Sequence, residues 1–147
     1  MTVSNAGSRS VVNSVTSRYN NLILRKTTTD GATYTLTADG QSAGVLNQIV
    51  FSNDSTYSFK ILVVARRSDT DGENAGWDLT GVATRNTNSL STVVLGVNKT
   101  LLYKTTSSWD CNVVADTVNG GISVTVTGDS SKTIKWVATV NIVEVTG

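Results

Sequence analysis

Along residues 109–145 apolar and polar side chains alternate in three extended runs, each set off by a cluster of turn-forming residues. Trp109, Cys111, Val113 and Ala115 share one face of the first run, while Asp110, Asn112 and Asp116 mark the other. Asn119-Gly120-Gly121 follows, a turn that tolerates positive φ, and then Ile122, Val124 and Val126 alternate with Ser123, Thr125 and Thr127. Gly128-Asp129-Ser130-Ser131 makes a second turn before a last run from Thr133 to Val145. Period-two alternation bounded by Gly, Asn, Asp and Ser predicts antiparallel hairpins with one buried face.

The rest of the chain carries the same signal. Asn21–Lys26, the alternation of Tyr34, Leu36 and Ala38, Val45–Phe51, Tyr57–Arg67, the stretch around Trp77 and Leu79, and Thr92–Tyr103 all read as strands. Tyr57–Arg67 is apolar on both faces: Phe59, Ile61, Val63 and Ala65 on one, Leu62 and Val64 on the other. Such a strand is expected at the centre of a sheet, covered on both sides by a second sheet or another subunit. Thirteen residues from Thr133 to Val145 would span about 43 Å, which predicts a strand that bends or passes between sheets. Its alternation breaks at Ile142-Val143, where two apolar residues are adjacent and Glu144 then takes the core phase; a bulge there would account for the slip. No stretch holds a 3.6-residue apolar stripe free of turn clusters. The fold class is therefore all-β, an antiparallel β-sandwich or jelly roll.

Residues 1–18 are small and polar, with Arg9 and Arg18 but no periodicity. They are expected to form an extended N-terminal arm ordered against a neighbour, ahead of a single β-sandwich domain over residues 19–147. Val3, Arg9, Val11, Val12, Arg18 and Tyr19 are the residues expected to make that contact.

Composition narrows the chemistry. The chain has 147 residues, one domain's worth, with 12 basic and 11 acidic residues, so no field for polyanions or membrane surfaces is implied. Neither nucleic-acid binding nor membrane insertion is expected. Histidine is absent, which removes the usual general base near neutral pH, most zinc sites and every Ser-His-Asp arrangement. The acids fall mostly in turns (Asp30, Asp39, Asp54, Asp129), where Asp is expected for its hydrogen bonding alone. No catalytic or cofactor-binding residue is therefore expected, and the chain reads as a non-enzyme. The single cysteine, Cys111, lies on an apolar face and reads as a small core residue. Trp77, Trp109 and Trp136 are each in phase with a strand's apolar residues and read as core. Tyr19, Tyr34, Tyr57 and Tyr103 are less constrained, and one or two are expected on a contact surface.

The sharpest local cluster is Asp69-Thr70-Asp71-Gly72-Glu73-Asn74. Oxygen ligands from Asp69, Asp71, Glu73 and Asn74 around a glycine could hold calcium. An EF-hand loop would also need a bidentate Glu near its twelfth position, where Thr80 stands. The alternative is a polar loop whose carboxylates pair with Arg66 and Arg67.

Several strings together resemble a known family: Tyr57–Arg67 (YSFKILVVARR), Asp69–Trp77 (DTDGENAGW), Gly81–Arg85 (GVATR), Trp109–Thr117 and Lys132–Val145 (KTIKWVATVNIVEV). They resemble a β-rich module near the ends of tail-fibre and minor structural proteins of tailed bacteriophages, over residues 57–147. The motif residues correspond to core and turn positions and supply no catalytic or binding site. In long fibres the module ends a larger polypeptide, whereas here Met1 opens a short chain, which is more like a capsid decoration (cement) protein. The resemblance thus implies a virion structural protein, often a homotrimer, whose partners are the major capsid protein or the tail and fibre proteins. A tail-fibre or receptor-binding subunit is the alternative, with a host surface glycan as a further partner. A carbohydrate-binding module is a third reading. Deleting residues 1–18 is expected to weaken attachment and spare the fold.

Overall fold

The computed structural model describes the backbone of residues 8–12 and 15–147, with side chains from Tyr19 onward. Ten strands follow one another: β1 (Ser8–Val12), β2 (Val15–Thr28), β3 (Thr33–Thr35), β4 (Ile49–Val50), β5 (Ser55–Arg67), β6 (Asn74–Arg85), β7 (Val93–Lys104), β8 (Asp110–Asp116), β9 (Gly121–Thr127) and β10 (Ile134–Thr146). They form two antiparallel sheets. The larger has six strands in the order β1-β2-β10-β5-β6-β7. In the smaller, β9 pairs β8 along one edge and both β3 and β4 along the other. A capped 3-10 turn at Ser89–Ser91 leads into β7.

The sheets close on a single core. β5 and β10 send Tyr57, Phe59, Ile61, Val63, Trp136, Ala138, Val140 and Ile142 inward, against Cys111, Val113, Ile122, Val124 and Val126 of the small sheet. Trp136 lies 6.0 Å from Trp77 and 5.9 Å from Trp109, ring centre to ring centre, and its indole N–H donates to Thr28 Oγ1 at 3.0 Å. Such a trio supplies much of the core's apolar area. All three indoles are buried, as the periodicity requires. Cys111 is buried too, and burial pushes its thiol up to about 12.

The turns carry the expected chemistry. Gly120 takes φ +83°, and Asp116 Oδ1 accepts from the backbone of Val118 and Asn119 at 3.1 and 3.0 Å. At Gly81 the backbones crowd instead. A Cβ there would stand 2.2 Å from the Gly96 carbonyl and 2.6 Å from Phe59 Cζ, so only glycine lets β7 close on β6 over that ring.

Two expectations need correction. First, β10 has no bulge at Ile142-Val143. It pairs β2 and β5 without a register shift from Ile134 to Thr146 and stays within one sheet. Val143 simply faces out, and Glu144 takes an ordinary inward position where Thr146 Oγ1 donates to it at 2.7 Å. Second, of Val45–Phe51 only Ile49–Val50 is strand. Asn47 ties a loop there, accepting from Gly44 N–H at 2.8 Å and donating to Asp39 and to the Ser42 carbonyl, both at 2.9 Å. As expected, β5 lies inside its sheet; among the described residues nothing covers its outward face, where Leu62 is 45% and Val64 59% exposed.

At the other end, β2 begins at Val15 and crosses the position where the arm was expected to end. Thr16, Ser17 and Arg18 already pair with Thr146, Val145 and Glu144 of β10.

Candidate interaction surface

The outward face of the large sheet takes its apolar character from alternation. Every second residue of β2, β10 and β5 must point away from the core, and several of these are aliphatic. Ile23, Thr139, Leu62 and Asp78 stand in one row across the sheet, and Arg25, Val137, Val64 and Gly76 in the next. Gly76 has no side chain to fill its place. A shallow depression of about 370 Å³ results, lined by Leu62, Val64, Leu102, Val137 and Thr139 over Gly76. Ile23, Val143 and Val145 extend the exposed apolar surface along β2 and β10.

β1 and β7 are the outer strands of this sheet, and almost all of the 12 residues of β7 are exposed on both faces. Val93, Leu95, Val97, Leu101, Leu102 and Tyr103 all stand in the open. Two register shifts against β6, between Gly76 and Trp77 and between Val82 and Ala83, leave Leu102 and Leu95 without a partner on β6. Long apolar edges are what soluble β-proteins avoid, because their unpaired N–H and C=O groups template another chain. The middle of β7 is anchored where Lys99 Nζ donates to Asp110 Oδ1 at 2.6 Å and to Asn112 Oδ1 at 3.0 Å, and its C-terminal end where Lys104 Nζ donates to the Ser107 and Trp109 carbonyls at 2.9 and 3.2 Å.

Of the expected contact residues, Val3 lies outside the described residues, as do the side chains of Arg9, Val11, Val12 and Arg18. Tyr19 is half exposed, and its hydroxyl donates to Asn141 Oδ1 at 3.3 Å on the outward face. Tyr103 is open on β7. Tyr57 is buried against Phe51, and Tyr34 donates to Asp30 at 2.9 Å. With the three indoles inside, the surface has no tryptophan platform for a sugar ring.

Asp69, Asp71, Glu73 and Asn74 do not converge on one point; arginine and lysine take up their carboxylates. Arg67 clamps Asp69 with two bonds, at 2.7 and 3.1 Å, and reaches Glu73 at 2.5 Å. Lys132 bonds Glu73 at 2.7 Å and Asp129 at 3.1 Å, and Thr106 adds a further bond to Glu73. Arg66 reaches Asp71 at 3.0 Å and Asn74 at 3.3 Å. The Arg67 clamp holds Asp69 at about 2, and Lys132, Thr106 and Arg67 together hold Glu73 at about 2. Among the described residues no group of three or more acidic, Cys or His side chains could hold a metal ion. The loop works as a structural ion-pair network joining the β5–β6 turn to the approach of β10. Arginine beside the acids was the legible clue; Lys132 and Thr106 are too distant in sequence to have been found.

A second opening of about 460 Å³ lies between β2, β10 and the 39–41 loop, with Arg25, Lys26 and Lys135 on its walls beside Asp39. Asp39 is committed to the loop by bonds from Asn47, Gln41 and Thr37, which keep its carboxyl below the usual range. Among the described residues, the Arg25 and Lys135 side chains make no ion pair. No helix among the described residues is long and apolar enough to cross a membrane.

No protein-family model matches the sequence, and no curated protein does. Among solved structures, the tailspike protein of Acinetobacter phage vB_ApiP_P1 is similar at 13% identity with a TM-score of 0.39. The match covers 87% of this chain and 22% of the tailspike chain. A superposition that loose decides neither fold nor function.

Proposed function

We propose that the chain is a non-enzymatic structural subunit of a tailed-phage particle, and specifically a capsid decoration protein held in place by its large sheet. The observation that carries this reading is β7: a 12-residue edge strand bearing exposed aliphatic and aromatic side chains on both faces. Strand addition at such an edge supplies main-chain hydrogen bonds with little demand on side-chain fit, and repetition over a symmetric shell turns modest contacts into avidity. The motif resemblance over residues 57–147 supports the virion setting independently of the geometry. The partners are further copies of the chain and the neighbouring capsid proteins.

A tail-fibre or adhesion subunit is the second reading, favoured by the cationic opening at Arg25, Lys26 and Lys135, which suits an anionic host-surface glycan. The test uses Leu101→Lys, which places a charge on β7 without touching the core. Particles assembled with the variant in place of the native chain should lack it, while its circular dichroism stays native. Normal incorporation of the variant would contradict the role given to β7.

A further inference from the structure

We propose that the edge strand β7 is completed by β7 of a second copy, running antiparallel about a two-fold axis through Asn98. This names the occupant of the surface described above and rests on β7 being an assembly surface. Register selects the pairing. With Asn98 on the axis, Leu101 faces Leu95 of the other copy, Leu102 faces Val94, Tyr103 faces Val93 and Lys99 faces Val97. Each of the three outer pairs is apolar on both sides. Asn98 meets Asn98, a pair that can hydrogen-bond.

Neighbouring registers are worse. An axis through Lys99 sets Leu102 against Gly96 and Lys104 against Val94, so fewer apolar pairs form. An axis through Val97 sets Lys99 against Leu95 and Thr100 against Val94, and leaves Tyr103 unmatched. A shift by one residue would join the inward face of one copy to the outward face of the other, because alternation has period two. The Asn98 register keeps both outward faces on the same side. Lys99, bonded to Asp110 and Asn112 of its own chain, brings little free charge to the junction.

The two extra residues of β7, Leu95 and Leu102, then fall almost opposite each other's copies, so the departures from regular pairing coincide instead of accumulating. The result is an isologous contact, closed by its two-fold axis, in which neither copy keeps a bare β7 edge. Eleven paired residues, 93–103, at about 3.4 Å each give a seam of about 37 Å. A single strand seam lies toward the small end of specific interfaces, so the pair should depend on concentration.

Sedimentation velocity across a range of protein concentrations is the first arm of the test. Asn98→Cys under mild oxidation is the second, since facing residues of an antiparallel pair lie about 4.5–5.5 Å apart at Cα, within disulfide reach. Asn21→Cys, on the outward face of β2, is the control. The expected result is a concentration-dependent dimer, a covalent dimer from Asn98→Cys and none from Asn21→Cys, with Leu101→Lys monomeric. A native chain that stays monomeric, with no Asn98→Cys cross-link, overturns the self-pairing. Loss of Leu101→Lys from particles in that case keeps β7 as an attachment surface for a different chain. Its normal incorporation would remove the attachment surface as well.

Discussion

At the scale of single residues, acid stability is where charge has the clearest consequence. Asp69 and Glu73 both sit at about 2 in the folded chain, against roughly 4 when unfolded. Folded, they bind protons less readily than unfolded, so they stabilise the fold above about pH 4–5 and lose that contribution as pH falls toward 2. The urea midpoint should therefore drop steeply over that window. Lys132→Gln removes a leading contributor to Glu73 and should flatten the drop; an unchanged profile would mean the network is inert. Cys111, buried and raised to about 12, should resist thiol reagents until the chain unfolds. Its burial was legible from Trp109, Val113 and Ala115 sharing its phase. The partners of Glu73 were not, because Thr106 and Lys132 lie 33 and 59 residues away and only folding brings them in.

At the scale of elements, the junction of β6 and β7 is set by Gly81. Gly81→Ala should cost about 1–3 kcal/mol, since its methyl meets a backbone carbonyl and an aromatic ring that cannot both retreat. Equilibrium denaturation checks this, and a loss below about 0.5 kcal/mol would show that β7 can shift. Truncation should be read with β2 in mind. Removing residues 1–14 spares the β2–β10 ladder, whereas removing 1–18 takes Thr16, Ser17 and Arg18 out of it. The longer deletion should lower the thermal midpoint more than the shorter one. Strand existence was legible nearly everywhere because alternation is a local property. Where it misled, a long-range cause was at work. Asn47 reaches back to Asp39 and Ser42 and dissolves the expected strand over 45–48. Glu144 imitates a phase slip because a buried carboxylate looks out of place until Thr146 is seen donating to it.

At the scale of the whole molecule, two sheets share one core while the larger keeps an apolar outer face and an open edge. The sequence already showed aliphatics on both faces of β5, and among the described residues nothing covers the outer one. That surplus, together with β7, is the physical basis of the proposed assembly. A cryo-EM map of the intact particle, with the chain marked by an antibody fragment, tests the central claim most directly. Label distributed over the capsid shell at symmetric positions is the predicted result. Label confined to the tail tip or fibres, or absent from the particle, would contradict it.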